Sequence, residues 1–226
     1  MKQTTRLINS PVKKLNAGDR QVTTINPPTY RGSTVLFDNF QDLTLANAGN
    51  YDSITYGTDR LPTQRLFEEA IQEFEGGALT RAFQSGISAI TNTLLAFTQA
   101  GDHILVCDNV YGPTARFCKE VLTRYNIETT FIPPAAGNEI EKSLRDNTRL
   151  IFLESPGSNT FEIQDLPAIT TLAKQRGIVT VLDNTWATPL YLDAFALGID
   201  VSIQSVTKYI SGHSDILLGT VTTTAE

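Results

Sequence analysis

The stretch Ile199-Asp200-Val201-Ser202-Ile203-Gln204-Ser205-Val206-Thr207-Lys208 decides the fold. Its first six residues have the pattern of a β-strand with apolar side chains at every second position, and two hydroxyl residues and a lysine follow. Open α/β sheets bind their ligands beyond the carboxyl ends of the strands. The stretch therefore predicts a strand that presents the Lys208 amine and the hydroxyls of Ser205 and Thr207 to a ligand.

A second strand pattern, residues 178–182, ends in Asp183 about twenty-five residues upstream of Lys208. An amine can condense with an aldehyde, hydroxyls can bind a phosphate, and a carboxylate can keep a pyridine nitrogen protonated. Together the two stretches predict pyridoxal 5'-phosphate (PLP) as the cofactor. Each residue also has a plainer interpretation, as a solvated lysine at a strand end and as an aspartate that caps a turn or helix.

Strand and helix patterns alternate along most of the chain. Strand-like runs lie near 79–84, 103–107, 128–132, 149–154, 178–183 and 199–204, and helical patterns near 87–98, 114–125, 139–146 and 166–176. Such alternation predicts an α/β fold with a mostly parallel sheet covered by helices.

The first 60 residues differ from the rest in composition. They are rich in Thr, Asn, Pro and Gly and contain no long periodic segment, which predicts an extended N-terminal arm. From Pro62 the pattern is that of an amphipathic helix that ends at Gly76-Gly77. We therefore expect an arm over 1–60 and a cofactor-binding domain over 61–226.

Charge and hydropathy exclude several classes of protein. The 226 residues carry 18 basic and 24 acidic side chains, a net charge of −6, and no basic cluster beyond Lys13-Lys14, so the footprint of a nucleic-acid binder is missing. Residues 1–6 are not followed by an apolar signal region, and no run approaches about twenty apolar residues. A cytoplasmic protein that does not bind membranes is expected.

The cysteines and histidines of the sequence predict neither a metal site nor a disulfide. Cys107 and Cys118 lie in apolar patterns without Cys-x-x-Cys spacing, which favours buried free thiols. His103 and His213 are too few for a His-rich site, so no metal is expected. No Gly-x-Ser-x-Gly elbow supports a serine hydrolase, and Ser214-Asp215 beside His213 is interpreted as a loop.

Ser85-Gly86-Ile87-Ser88 is a candidate phosphate cradle, because it links a predicted strand to a predicted helix and the amides at a helix start attract anions. A plain capped turn would have the same residues. The dinucleotide and nucleotide-triphosphate motifs are missing from the sequence. A nucleotide-binding module of Rossmann type and a non-catalytic interaction protein with the same sheet are the alternatives from other classes.

Several segments, in order along nearly the whole chain, resemble the Cys/Met-metabolism family of PLP-dependent enzymes. They are Asn26-Pro27-Pro28, Arg31-Gly32-Ser33-Thr34-Val35, Glu75-Gly76-Gly77, Ser85-Gly86, Tyr111-Gly112, Glu154-Ser155-Pro156-Gly157-Ser158, Asp183-Asn184-Thr185-Trp186-Ala187, Ser205 to Lys208, and Gly212-His213-Ser214-Asp215. The resemblance implies the large domain of PLP-dependent transferase-like enzymes of fold type I.

The resemblance also implies roles for single residues. Lys208 binds the cofactor covalently and is catalytic, Asp183 meets the pyridine nitrogen, and Tyr111 lies over the ring and assists proton transfers. A tyrosine packed in the core is the plainer alternative for Tyr111.

For the phosphate, the resemblance implies backbone amides of Gly86 and Ile87 and hydroxyls of Ser205 and Thr207. Members of the family add a Tyr-x-Arg pair from a neighbouring subunit, and here the sequence reads Tyr56-Gly57-Thr58-Asp59-Arg60. Tyr56 matches that pattern, whereas Arg60 lies two positions late.

Within the family, Trp186 and Gly157 resemble the β-lyases, since the γ-synthases and γ-lyases usually have phenylalanine and threonine there. The resemblance thus implies a carbon–sulfur β-lyase of methionine biosynthesis and transsulfuration that cleaves L-cystathionine to homocysteine, pyruvate and ammonia. The open alternatives are a cystathionine γ-synthase, a γ-lyase and an inactive fragment.

The resemblance further implies a homotetramer and a second, C-terminal domain whose arginine binds the substrate carboxylate. The sequence stops at Glu226, shortly after the strand-like Val221-Thr222-Thr223-Thr224. A truncated large domain, inactive by itself, is therefore expected.

Overall fold

The computed structural model describes residues 14–17, 20–23, 26–51 and 53–225. The chain divides into two compact units, residues 1–70 and 71–226. The boundary expected from composition, after residue 60, stays a prediction.

The first unit contains short elements that the sequence patterns did not predict. In chain order they are β1 (Lys14–Ala17), β2 (Arg20–Thr23), α1 (Phe40–Asn47) and a 3-10 turn (Gly57–Asp59). The unit also contains the start of α2 (Pro62–Glu75), which is the helix that the sequence predicted from Pro62. Strands β1 and β2 pair antiparallel. Helix α1 begins after Asn39, whose side chain accepts a hydrogen bond from the Asp42 amide, and it buries none of its side chains. A helix without a buried face has no amphipathic period, which is why its pattern gave no signal.

The second unit is built on a seven-stranded sheet in the spatial order β3, β9, β8, β7, β6, β4, β5. The strands are β3 (Leu79–Phe83), β4 (His103–Cys107), β5 (Glu128–Ile132), β6 (Thr148–Glu154), β7 (Val179–Asp183), β8 (Val201–Gln204) and β9 (Gly219–Thr223). Strand β9 runs antiparallel between β3 and β8, and the other six run parallel to one another.

Helices flank this sheet. They are α3 (Gly86–Ala96), α4 (Gly112–Glu120), α5 (Leu166–Arg176) and the four-residue α6 (Thr188–Tyr191), with 3-10 segments at Leu122–Tyr125 and Pro134–Ser143. The central strands are covered on both faces, since Ile104, Leu105 and residues 150–153 are fully buried. Burial on both faces explains the continuous apolar runs of β4 and β6.

The predicted α/β fold with a mostly parallel, helix-covered sheet is confirmed, and each predicted strand lies within two residues of its observed bounds. The predicted helix over 139–146 is wrong, because 134–143 is a 3-10 segment that Gly137 interrupts at φ 47° and ψ −128°. The predicted helix over 114–125 ends at Glu120, and a 3-10 turn follows. Within the described residues, none of the helices has the length and apolarity that a bilayer crossing requires.

Candidate active site

The predicted cofactor-binding residues of the second unit lie at one edge of the sheet. Because β3, β4, β6, β7 and β8 run parallel, their carboxyl ends meet at the same edge. Gly86 and Ile87 follow β3, Tyr111 follows β4, Asp183 ends β7, and Ser205, Thr207 and Lys208 follow β8. The fold therefore brings together residues that are up to 122 positions apart, as the numbers 86 and 208 show.

Asp183 is a buried acid without a basic partner. Its side chain is 6% exposed, and its Oδ1 accepts hydrogen bonds from the Thr185 amide (3.1 Å) and the Thr185 hydroxyl (2.6 Å). Burial raises the pKa of Asp183, and the two bonds from Thr185 oppose that rise. Among the described residues, no lysine, arginine or histidine forms an ion pair with it.

Thr185 joins Asp183 to the segment that carries the lysine. While its hydroxyl donates to Asp183, the same Oγ1 accepts a hydrogen bond from the Ser205 amide at 2.7 Å. One side chain thus sets the distance between the carboxyl end of β7 and the turn after β8. The sequence interpretation gave Thr185 no role, because the pairing of these two turns is visible only in the folded sheet.

Lys208 is exposed and lies in a tight turn. Its amide donates to the Ser205 carbonyl (2.9 Å), and its carbonyl accepts from the Gly212 amide (2.8 Å). Among the described residues, no carboxylate forms an ion pair with its amine. The backbone of this lysine is held, while its amine remains available to a ligand.

The start of α3 lies directly against the turn after β8. Ser85 caps the helix, with its Oγ accepting from the Ser88 amide at 3.1 Å. A Cβ built on Gly86 would lie 2.6 Å from the Ser205 Oγ, so only glycine permits this approach. The two elements predicted to bind a phosphate are therefore neighbours, and the Ser205 hydroxyl lies at the first residue of the helix.

The Thr207 hydroxyl is engaged with the backbone of Leu218. Its Oγ1 donates to the Leu218 carbonyl (3.2 Å) and accepts from the Leu218 amide (3.0 Å). These bonds fix the lysine-bearing turn to the residue before β9. The phosphate-binding role of Thr207 stays a prediction.

Tyr111 is 47% exposed and precedes α4. Its amide donates to Oε2 of Glu154 at 2.7 Å. Glu154 ends β6, pairs in register with Asp183 and is 7% exposed. Burial and the neighbouring Asp183 charge raise the pKa of Glu154 to about 8. The sequence interpretation quoted Glu154 within a motif and gave it no role.

An exposed aromatic cluster flanks Lys208. The Trp186 ring packs edge-on against Phe161 at 5.0 Å between ring centroids, and at a tilt of 47° against Tyr209 at 5.6 Å. Trp186 follows Asp183 by three residues, and Tyr209 follows Lys208. The contact between Trp186 and Tyr209 joins the segment after Asp183 to the residue after Lys208.

Gly157 closely approaches Asn109. A Cβ at residue 157 would lie 2.0 Å from the Asn109 Nδ2 and 2.5 Å from its Cγ. The Asn109 amide is buried and held, because its Nδ2 donates to Glu162 (3.3 Å) and its Oδ1 accepts from Gln164 (3.4 Å). A threonine at 157, as in the γ-enzymes, requires a different arrangement of Asn109.

Tyr56 and Arg60, the two predicted residues of the first unit, are bonded within that unit. The Tyr56 amide donates to Asp59 (3.1 Å), and the Arg60 guanidinium forms an ion pair with the buried Glu68 (2.8 Å). Their phosphate-binding role stays a prediction.

The remaining candidates are the cysteines and His213. Cys107 and Cys118 are buried free thiols, and burial raises the pKa of each to about 12. His213 is exposed and bonds to the Ser211 carbonyl. Across residues 26–51 and 53–225, no group of three or more His, Cys, Asp or Glu side chains could hold a metal ion.

The residues at this edge fit a phosphorylated pyridine aldehyde. A buried carboxylate without a basic partner suits a protonated ring nitrogen, and the free amine suits an aldehyde. The helix start against Ser205 suits a phosphate, and its glycine leaves the space that a Cβ would fill.

The sequence model of one family, described as Cys/Met metabolism PLP-dependent enzyme, matches residues 9–226. The chain belongs to this family. Its members depend on pyridoxal phosphate, in agreement with the cofactor predicted from the sequence.

Relatives in the family have different activities. The cystathionine beta-lyase MetC of Bacillus subtilis is 40% identical over 215 residues, 95% of this chain and 52% of the relative. A cystathionine gamma-lyase of Bacillus subtilis is 34% identical over 226 residues, 100% of this chain and 56% of the relative. An L-alanine/L-glutamate racemase of Wolbachia pipientis is 40% identical over 207 residues, 87% of this chain and 51% of the relative. The chain spans about half the length of the curated relatives it matches.

A solved structure from Campylobacter jejuni, described provisionally as O-acetylhomoserine (thiol)-lyase (metY), has the same fold. Its TM-score is 0.90 at 26% identity, and the match covers 100% of this chain and 54% of that one. That protein carries N'-pyridoxyl-lysine-5'-monophosphate.

Proposed function

We propose that the protein acts as a PLP-dependent carbon–sulfur β-lyase, which cleaves L-cystathionine to homocysteine, pyruvate and ammonia. The observation that carries the proposal is the hydrogen-bonded link from Asp183 through Thr185 to the turn of Lys208. The link supports the proposal because Asp183, as the acid for a ring nitrogen, and Lys208, as the amine for an aldehyde, follow neighbouring strands at one sheet edge. Family membership supports the cofactor, and the relative MetC supports the activity.

Lys208 has two tasks in this proposal. Its amine would hold the cofactor and, once freed by the substrate amine, would accept the proton from the substrate Cα. When bound, pyridoxal phosphate supplies the electron sink for the electron pair left at Cα. Lys208 can move between these tasks because its side chain is exposed, while backbone bonds to Ser205 and Gly212 hold its Cα.

Asp183 and the phosphate-binding elements position the cofactor. Asp183 keeps the ring nitrogen protonated, which is favourable because the burial of this carboxylate weakens competition from water. The amides of Gly86 and Ile87 and the Ser205 hydroxyl bind the phosphate, joined as the resemblance implies by Thr207 and, from a neighbouring subunit, by Tyr56. Arg60 is a further candidate ligand, although it lies two positions later than the family's arginine. Tyr111, exposed beside Glu154, covers the ring and assists proton transfers.

The β-lyase assignment rests on Gly157, Trp186 and the relative MetC. The γ-lyase relative supports γ-elimination as a second candidate, and the racemase relative shows that the family also catalyses reactions without carbon–sulfur cleavage. All three activities begin with proton removal from Cα, so the products distinguish them.

The test is incubation of the PLP-loaded protein with L-cystathionine and analysis of the keto acid formed. We expect pyruvate together with homocysteine, and no product from the Lys208→Ala variant. Formation of 2-oxobutyrate and cysteine would instead assign γ-elimination. A parallel incubation with L-alanine or L-glutamate tests the racemase alternative: racemisation there, with no keto acid from L-cystathionine, would reject lyase activity.

A further inference from the structure

Glu154 and Asp183 form a pair of buried carboxyl groups beneath the candidate site. They end the adjacent parallel strands β6 and β7 and are register partners, so their side chains lie on the same face of the sheet. They are 7% and 6% exposed. The pair belongs to the interior of the fold and lies at the edge where the cofactor-binding residues meet.

No positive charge of the described chain balances this pair. The ion pairs among residues 26–51 and 53–225 include neither carboxyl group. Among the described residues, a further titratable group near Glu154 is the Cys107 thiol of β4, whose Sγ accepts a hydrogen bond from the Glu154 backbone amide at 3.2 Å. Burial raises the pKa of Cys107 to about 12, so this thiol stays neutral. Two buried acids without a counter-ion cannot both ionise at low cost, and they retain one proton between them.

The hydrogen bonds decide which acid keeps the proton. Asp183 accepts two bonds on Oδ1, from the amide and the hydroxyl of Thr185, whereas Glu154 accepts one, from the Tyr111 amide. Bonds donated to a carboxylate stabilise its ionised form. Asp183 is therefore the better anion, and its charge, together with burial, raises the pKa of Glu154 to about 8.

We propose that Glu154 is a positioning residue of the cofactor site, which stays protonated beside an ionised Asp183 and holds the backbone of Tyr111 through its Oε2. This inference rests on the proposed function for its use of the cofactor. A neutral Glu154 leaves one negative charge, that of Asp183, opposite one protonated ring nitrogen. Its bond to the Tyr111 amide connects the carboxyl pair to the residue that covers the ring.

The proton on Glu154 can be observed without cofactor by infrared spectroscopy, through the C=O stretch of a protonated carboxylic acid. The spectrum of the wild type minus that of Glu154→Gln isolates Glu154 from Glu75, another buried acid. We expect the acid band at pH 7 and its loss with a midpoint near pH 8. In the Asp183→Asn background this midpoint falls, because the neighbouring charge is gone. A carboxylate band at pH 7, or a midpoint that Asp183→Asn leaves unchanged, overturns the proposal.

Cofactor binding is measured separately, by titration of cofactor-free protein with PLP. Glutamine is neutral and keeps an oxygen acceptor for the Tyr111 amide, so Glu154→Gln should bind PLP within about threefold of the wild type. Glu154→Ala leaves that amide without its acceptor and should bind roughly tenfold more weakly. A folded Glu154→Gln protein that binds as weakly as Glu154→Ala contradicts the proposal, because the charge would then be required. If the wild type itself binds no PLP, the proposed function fails, while the infrared result still decides the protonation of the pair.

Discussion

At the scale of single residues, the arrangement depends on a few side chains that bridge neighbouring strands. Lys208 and Asp183 could be predicted from sequence because Asp183 directly follows an apolar run and Lys208 comes four residues after the end of a strand pattern. Thr185 and Glu154 could not be assigned roles, because their partners Ser205 and Tyr111 lie in segments that follow other strands, 20 and 43 positions away. Cross-strand hydrogen bonds depend on strand order, which a single sequence does not show.

Thr185→Val should weaken both the fold and cofactor binding. The substitution keeps the side-chain shape but removes the hydroxyl that donates to Asp183 and accepts from Ser205. Leaving these buried partners unsatisfied costs roughly 1–3 kcal/mol. Urea unfolding measures the loss of stability, and a PLP titration measures the loss of affinity.

The matched control is Thr171→Val, whose exposed hydroxyl bonds only within its own helix, to the Pro167 carbonyl. Thr171→Val should change neither the free energy of unfolding nor the affinity for PLP appreciably. Equal effects of the two substitutions would show that Thr185 has no special role in joining the two turns.

Gly157→Ala should destabilise the protein because the added methyl group meets the Asn109 side chain. Overpacking of this kind typically costs about 1–3 kcal/mol. Asn109→Gly removes the obstructing atoms, so in a double-mutant cycle the alanine should cost much less in that background. The free energies of unfolding of the wild type, the two single variants and the double variant give the coupling energy between residues 157 and 109.

Gly112→Ala serves as the control for Gly157, since a Cβ there meets no atom within 4 Å. Additive effects of Gly157→Ala and Asn109→Gly would mean that the two residues do not compete for the same space.

At the scale of secondary-structure elements, sequence patterns predicted the strands of the parallel sheet better than the short elements. Continuous apolar runs identify β4, β6 and β7 because these strands are buried on both faces. The insertion of β9 between β3 and β8 could not be predicted, since its pattern gives neither its direction nor its neighbours. Helix α1 escaped prediction because it buries no side chain.

The end of helix α2 carries a buried acid, Glu75, which faces strand β8. Burial and the charge of Asp193 raise the pKa of Glu75 to about 7, and Ser202 and Gln204 oppose that rise. Neither Ser202 Oγ nor Gln204 Nε2, however, forms a hydrogen bond that meets normal geometry with any described residue. The ionised Glu75 carboxylate therefore lacks well-formed hydrogen bonds from these two side chains.

Glu75→Gln should stabilise the protein increasingly as the pH rises. Burial raises the folded-state pKa of Glu75 from 4.5 to about 7, so protonated Glu75 contributes to the free energy of unfolding. This contribution is fully present below about pH 4.5 and is lost as the pH rises through 7. Glutamine does not titrate. The free energy of unfolding of Glu75→Gln relative to that of the wild type should therefore grow between pH 5 and 8 by an amount of the order of 3 kcal/mol. Urea unfolding at several pH values measures it.

Glu69→Gln, an exposed change on the same helix, is the control and should show no such trend. A stability difference between Glu75→Gln and the wild type that is constant with pH would mean that Glu75 does not titrate in this range.

At the scale of the whole molecule, the second unit combines a mostly parallel sheet with one edge at which the predicted cofactor-binding residues lie. A γ-lyase and a racemase each match most of this chain, so we expect the choice of reaction to depend on single residues, such as Gly157 and Trp186. The tetramer implied by the family resemblance is tested by sedimentation of the purified protein. A dissociated protein would lose Tyr56 and Arg60 as phosphate ligands if they act across subunits.

The most direct test of the central claim is reduction of the PLP-loaded protein with borohydride, followed by mass spectrometry of its peptides. We predict one pyridoxyl-phosphate adduct, on Lys208, with no adduct on that peptide in Lys208→Ala and less adduct in Asp183→Asn. An adduct on a different lysine, or equal labelling when Asp183 is replaced, would contradict the account.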